Sequence, residues 1–461
     1  MLRRWAIFSF VAMVATLALA TPAWATTFTV NSTLDTGDLT PDGVCNSCTL
    51  REAMQEASAN NNAPTVDVIN FSIAGNGPHN FTPATELPDI DDPLTIDGYT
   101  QGDSTTGTTA DDAVENTLAF GTNAVLKIVI SGPDTFADPN NGFDGFDVEA
   151  GPTTIRGLVL NGFKSSTGGS GGQAIGIFNV EGNTNNVVEG NFVGTNAAGT
   201  AVDINGPNKG DGVIIFGPAS TGNTIGGTTP AARNLISGNE EQGVEISASD
   251  SNKVQGNLIG TAKNGTSDLG NKQDGARMTS SKNIVSNNVV AFNGDDTHND
   301  NGVEVLKSGT ATPAGNRFLS NSIFQNQVLG IDLNDTTGTS PGDPEGREQD
   351  LKDPDIGSNN LQNFPVISAA TSTGTTTTVT GTFRSKPEKT FTVQLFSNPV
   401  LDTNEGKTFL AQIQVKTNRK GKALFTFFGT AVPQANTITA TATGADGTSE
   451  FSDPVAVVPV S

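Results

Sequence analysis

Glu245, Arg277, Glu304 and Asp332 each hold the third place of a Gly-apolar-x-apolar motif, in GVEI at 243, GARM at 275, GVEV at 302 and GIDL at 330. A related motif, GVII, begins at 212, and the five starts are 31, 32, 27 and 28 residues apart. Side chains alternate along a strand, so the third place faces away from its two apolar neighbours. If each motif is one rung of a stack, these four groups form an outward column at about 4.8 Å per rung, and Phe178 and Ile214 extend it toward the N-terminus. The segments entering the strands add Asp211, Glu240, Glu241 and Asp274, and the stretch NGDDTHNDNG adds Asp295, Asp296, His298 and Asp300.

Such a face offers three chemistries. Glu304 and Asp332 would stand one rung apart, about 4.8 Å, and Glu245 and Glu304 two rungs apart, about 9.6 Å. Retaining and inverting glycosidases hold their carboxyl pairs at about 5 to 5.5 Å and about 6.5 to 9.5 Å, although backbone spacing is not carboxyl spacing. A polysaccharide lyase would use Arg277 beside a carboxylate-held calcium, but an arginine between two glutamates stays protonated and is a poor base. His298, next to Asp295 and Asp296, is a candidate acid–base group, with an exposed loop histidine as the plainer reading. The catalytic candidates are therefore Glu245, Arg277, Glu304 and His298, and the binding candidates Asp211, Asp274, Asp295, Asp296 and Asp300. The competing structural reading is a charge ladder in which Arg277 neutralises Glu245 and Glu304. Almost no aromatic residue is expected on this face to stack a sugar.

The elements that must position these groups follow from the repeat. Between the glycine motifs fall paired short segments: NNVVEG and NFVGT, NTIGG and NLISGN, NKVQGN and LIGT, NIVSN and NVVAFN, NRFLSN and SIFQN. Three short strands per period of about 30 residues is the pattern of a stacked solenoid. Alignment of the coils places Asn191, Asn234, Asn257, Asn288 and Asn321 at one corner, where amides can ladder along the axis. Val193, Ile236, Ile259, Val290 and Ile323 form one inward stack, and Val213, Val244, Ala276, Val303 and Ile331 another.

The ends differ from this body. Residues 1–25 combine Arg3 and Arg4, the apolar run WAIFSFVAMVATLALA and a small-residue end, which reads as a secretory signal peptide rather than a spanning helix. Cys45 and Cys48 are the only cysteines, and in an exported chain they are expected to form a structural disulfide; redox and zinc roles would need partners that lie far off in sequence. Thr49 and Glu52 make a capping box for a short helix through about Asn60, with Leu50, Ala53, Met54 and Ala57 on one face. The segment CNSCTLREAM, followed by VINFSI at 68–73, LPDI at 87–90 and LTIDGYTQ at 94–101, resembles the first coils of secreted bacterial CSLREA-type parallel β-helix proteins, with Thr49 in place of a serine. The resemblance runs to about residue 360, where a following sandwich domain is also common. It implies architecture and brings no catalytic motif.

Residues 361–461 carry longer alternating runs such as TTTTVTGTF, TFTVQLFS and KALFTFFG, the pattern of an immunoglobulin-like sandwich acting as a spacer, a cap or a binding module. The expected organisation is all-β: a signal peptide (1–25), a pectate-lyase-like parallel β-helix solenoid with a short N-terminal capping helix (26–360), and an immunoglobulin-like β-sandwich (361–461). The net charge of −23 argues against nucleic acid and membrane surfaces as partners. The junction is dense in acids, and Asp332, Asp335, Asp343 and Asp350 are expected calcium ligands there, although the spacing is not that of an EF-hand. Function is expected to be a secreted, adhesin-like scaffold for an extracellular polysaccharide or cell-surface glycan. The alternatives are a polysaccharide lyase or glycoside hydrolase around Arg277, and a non-catalytic structural envelope protein.

Overall fold

The computed structural model describes residues 24–460 except 39, 46–47, 61, 103–109, 134–141, 168, 170, 296, 298–299, 310–311, 335–349 and 400–404. The chain winds into a stack of short strands that pair in parallel with the coil above and the coil below. A nine-stranded sheet runs from Thr27–Val30 to Arg317–Leu319, an eight-stranded sheet from His79–Phe81 to Ser322–Phe324, and a seven-stranded sheet from Phe146–Val148 to Ile331–Asn334. These are the first, second and third sheets below. At about 4.8 Å per rung the stack is near 40 Å long.

The interior is an aliphatic column. Val193, Ile236, Ile259, Val290 and Ile323 stack in register, as do Val213, Val244, Ala276, Val303 and Ile331. Every one of these side chains is buried. At the corners, amides take over from hydrocarbon. Asn191 Nδ2 donates to Asn234 Oδ1, Asn234 to Asn257, Asn257 to Asn288 and Asn288 to Asn321, at 2.9 to 3.2 Å. Two further ladders run beside it, one through Asn186, Asn223, Asn252, Asn283, Asn316 and Asn359, the other through Asn208, Asn239, Asn271, Asn293 and Asn326. Each of these amides bonds the next asparagine or the backbone at a corner of the coil, so none of the ladder side chains is left without a partner among the described residues.

The N-terminal end is closed by the helix Leu50–Asn60, whose Glu52 N–H donates to Thr49 Oγ1 at 3.1 Å. Leu50, Ala53, Met54 and Ala57 are buried as the periodicity required, and the Cys45–Cys48 disulfide precedes the helix. The other end carries a seven-stranded sheet folded on itself as a β-sandwich, in the order Thr408–Lys416, Thr390–Asn398, Thr437–Thr443, Val455–Pro459, Val366–Ser372, Thr376–Arg384, Lys422–Thr430. It has its own core, including Val379, Phe383, Val393, Leu395 and Ile438. Glu405 caps the solenoid from the sandwich: Asn326, last of its ladder, donates to Glu405 Oε1 from both its backbone N–H (2.9 Å) and its amide (3.1 Å).

One element breaks the repeat. The outward side chains of the second sheet, Phe192, Leu235, Leu258 and Val289, are buried because residues around 114–126 cross over them and add Ala124 and Leu126 to a separate apolar cluster. Arg233 clamps this strap, donating from Nη1 to Leu118 O (3.1 Å) and Gly121 O (2.6 Å) and from Nη2 to Ala119 O (2.9 Å).

Candidate functional site

The outer face of the third sheet carries the polar residues, and among the described residues no comparable strap crosses its middle coils. Strand register gives its central column as Asp147, Gly176, Ile214, Glu245, Arg277, Glu304 and Asp332. The four charged residues expected to line up do so. Phe178 does not belong with them: it stands two residues further on, because Ala174 takes the place of the motif glycine in that coil and makes Gly176 the outward residue. The Phe178 ring folds back over Gly176, where a Cβ would collide with it.

A second column precedes the glycines. Backbone N–H groups of Gly145, Ala174, Gly212, Gly243, Gly275 and Gly302 bond the carbonyls of Gln173, Asp211, Gln242, Asp274, Asn301 and Leu329 in the next coil. Asp211 and Asp274 are thus part of the regular stack and not loop residues. Their side chains are buried, and Gln242 N–H donates to Asp211 Oδ1 (3.0 Å) while Asn301 N–H donates to Asp274 Oδ1 (2.8 Å).

The central column is less exposed than alternation alone predicts, since Glu304 is 9% and Asp332 2% accessible. The C-terminal sandwich reaches this end of the face, where Leu333 N–H donates to Glu450 Oε1 at 3.2 Å. Arg277 Nη2 donates to Glu245 Oε2 at 2.7 Å. Burial works to lower the Arg277 pKa, but the carboxylate of Glu245, with Asp274 and Asp211 behind it, holds it above its ordinary value. Glu304 makes its hydrogen bonds elsewhere, with Asp274 and with Asn334, whose Nδ2 donates to Oε1 at 3.4 Å. Burial pushes the Glu304 pKa up against the opposing charge of Arg277. Asp274 is raised well above the usual carboxylate range by burial and then by Glu304 and Asp300, and Asp211 by burial and then by Glu245 and Glu241. Asp274 and Glu304 are therefore a carboxyl–carboxylate pair that shares a proton, because two such groups in hydrogen-bond contact are not both readily ionised.

This geometry narrows the chemistry. Asp274 and Glu304 are in side-chain hydrogen-bond contact, closer than the roughly 5 Å that a retaining glycosidase keeps between its two carboxyls, so this pair does not have that geometry. Arg277 is fixed in its protonated form and offers no base. Of the remaining expected residues, Asp300 lies near enough to Asp274 to raise its pKa, while Asp295 accepts from Thr297 N–H within its own turn (2.8 Å). Asp296 and His298 lie outside the described residues. Asp332 accepts from Asn301 Nδ2 at 3.1 Å. Asp350 groups instead with Asp353 and Asp355, their carboxylate oxygens within 4.8 Å of one another, and Asp335 and Asp343 lie outside the described residues.

Sequence reasoning left out a third column, Phe178, Phe216, Ser247, Thr279 and Leu306, which follows from the same register one step along the strands. Phe216 is 47% exposed, so the face does carry an aromatic platform. It forms one wall of a cleft of about 480 Å³ whose other walls include Ser247, Asp250, Thr279, Ser281 and Pro313. Ser247 and Thr279 hydroxyls lie 3.3 Å apart, and Asp250 accepts from Ser281 N–H at 2.8 Å. A larger cavity of about 900 Å³ lies elsewhere, between Asn70, Tyr99, Gln101, Asp112 and Lys127. Its cation is already committed, as Lys127 Nζ donates to Asn76 O at 2.9 Å.

No family model matches this chain, and no curated protein matches its sequence. Among solved structures, the A-module of Azotobacter vinelandii mannuronan C-5 epimerase AlgE4 is 14% identical over 63% of this chain and 88% of that one, with a TM-score of 0.31. The enzymatically active domain of bacteriophage CBA120 tailspike protein 2 is 11% identical over 82% of this chain and 67% of its own, at 0.26. The tailspike gp49 of Acinetobacter baumannii bacteriophage Fri1, a capsular polysaccharide depolymerase, is 8% identical over 88% and 82%, at 0.22. Likeness at this level stops at the fold.

Proposed function

We propose that this chain is a secreted, non-catalytic polysaccharide-binding scaffold whose glycan lies across the outer face of the third sheet. The carrying observation is the cleft beside Phe216. It combines an exposed ring, which a sugar's C–H face can cover, with the hydroxyls of Ser247, Thr279 and Ser281 and the carboxylate of Asp250. An apolar wall with a few convergent polar groups is the usual composition of a small-ligand site. Because neighbouring rungs repeat the same backbone at about 4.8 Å, an extended polymer meets similar donors and acceptors along the stack.

Binding is favoured over cleavage by the state of the charged column, where Glu245, Glu304 and Asp332 are each held by a partner inside the protein and Arg277 is spent on Glu245. Export accords with the signal-peptide pattern of the first residues and with the Cys45–Cys48 disulfide, since such bonds persist in oxidising compartments. The test is a panel of neutral and anionic polysaccharides, assayed for binding and for new reducing or unsaturated ends. For at least one neutral polysaccharide of the panel, saturable binding that weakens about tenfold in Phe216→Ala, without new ends, is expected. New ends that vanish in Glu304→Gln would replace the scaffold by an enzyme.

A further inference from the structure

The acidity of this protein is confined to one part of it. Residues 361–461 hold eight Lys and Arg against six Asp and Glu, a net of +2, while the preceding 360 residues hold 17 against 42, a net of −25. All eight cations fall between positions 384 and 422, and strand register brings all but Lys407 to one end of the sandwich. Arg384 pairs with Lys422 across one antiparallel strand pair, and Thr390, next to Lys389, pairs with Lys416 across another. Lys386 and Lys389 lie in one connecting turn, and Arg419 and Lys420 in the other.

The two turns are tied to each other. Thr417 N–H donates to Lys389 O (3.0 Å), Ser385 N–H to Gly421 O (3.0 Å), and Glu388 N–H to Asn418 O (3.3 Å). Thr417 Oγ1 closes the centre, donating to Lys386 O (2.6 Å) and accepting from Lys389 N–H (3.1 Å). Gly421 has φ +73°, and a Cβ there would strike Ser385 O, so glycine is what lets the turns meet. Within this end, Lys386 pairs with Asp446 (2.7 Å) and Arg419 with Glu388 (3.4 Å). Arg384, Lys389, Lys416, Lys420 and Lys422 are exposed and take no ion pair among the described residues. The acids facing this end from the junction are Asp350, Asp353 and Asp355, and Asp353 is buried under hydrogen bonds from Ser385, Gln362 and Asn363.

We infer that this laced basic end is a second binding site, for an anionic polysaccharide bearing carboxylate, sulfate or phosphate groups. Five unpaired cations on a fixed framework lose little freedom on binding a polyanion, and at physiological salt the acidic coils are screened beyond about 8 Å. The site is separate from the cleft at Phe216 and stands or falls without it.

Full-length protein would be titrated with dextran sulfate, with polygalacturonate, with neutral dextran and with phosphatidylserine-containing vesicles, at 50 and 300 mM NaCl. The site predicts binding to both anionic polymers, not to neutral dextran, weakening at least tenfold at the higher salt. The triple variant Lys389→Glu/Arg419→Glu/Lys420→Glu, exposed at every position, should lose at least tenfold more with an unchanged melting temperature, whereas Phe216→Ala should bind the anionic polymers as wild type does. Equal affinity in the triple variant, absence of binding at 50 mM NaCl, or binding to vesicles alone would each overturn the inference.

Discussion

The second and third sheets are built by the same coils, with the same inward aliphatic stacks, yet their outer faces have opposite fates. Outward residues on the second sheet are Phe192, Leu235, Leu258 and Val289, and the chain covers them with a strap held by Arg233. Outward residues on the third sheet are Glu245, Arg277 and Glu304, flanked by Phe216, Ser247 and Thr279. In a parallel stack the interior fixes the fold, so the outward position is where one face becomes core and another becomes a binding surface.

The comparison can be broken on either side. The largest effect is expected under the strap. Leu235→Ala empties a fully buried site in the covered face and should cost about 2 to 5 kcal/mol, read from urea unfolding. On the outer face of the third sheet, Thr279→Ala removes the acceptor of Ala248 N–H (3.1 Å) and should cost about 0.5 to 1.5 kcal/mol. If the two cost the same, the faces do not differ in the way described here.

Next is Arg277. Arg277→Ala strips the partner from Glu245, whose side chain is only 13% exposed, and should destabilise by about 3 kcal/mol. The double variant Arg277→Met/Glu245→Leu should recover most of that loss, because the unpaired charge is then gone as well. A double variant worse than the single would mean that the pair contributes more than mutual neutralisation.

The acidic residues give the third expectation. Asp147 is pushed up to about 8, by burial and then by Asp144 and Asp89, and Asp144 and Asp353 to about 6, chiefly by burial; Asp211 and Asp274 are also well above the normal range. The folded state keeps these protons where the unfolded chain, titrating near 4, has lost them. Stability is therefore greatest near the unfolded values and falls as pH rises through the folded ones. Glu240, lowered in spite of burial by Lys209 and Lys272, and His79, lowered by burial, act in the opposite sense. Scanning calorimetry should give a melting temperature several degrees higher at pH 5 than at pH 8. A higher value at pH 8 would show that Asp211 and Asp274 are ionised in the native protein.

Smallest is the metal. We propose calcium at the junction, now with Asp350, Asp353 and Asp355 as the described carboxylates in reach of one ion. Millimolar calcium should raise the melting temperature by one or two degrees and chelator should reverse it. A curve indifferent to both removes the ion.

How much of this could be read from sequence depends on whether a residue repeats. The coils, the inward stacks and the ladder from Asn191 to Asn321 recur at nearly constant intervals and were legible. The ladder through Asn223, Asn252, Asn283 and Asn316 is equally periodic, since each of these opens a first-sheet strand. Phe178 was misplaced by two residues because its coil lacks the motif glycine. The strap could not be read at all: Arg233 reaches Leu118 across 115 positions, and no period connects them. The contact of Glu450 with Leu333 at that end of the sheet was hidden for the same reason, since 117 positions separate the two.

The most direct test of the scaffold reading is hydrogen exchange mapped with and without a polysaccharide that binds. Protection should concentrate in the strands Val213–Phe216, Val244–Ser247 and Ala276–Met278 and in the turn at 279–281, with the polymer recovered at its original length. Protection confined to the sandwich, or a shortened polymer, would contradict it.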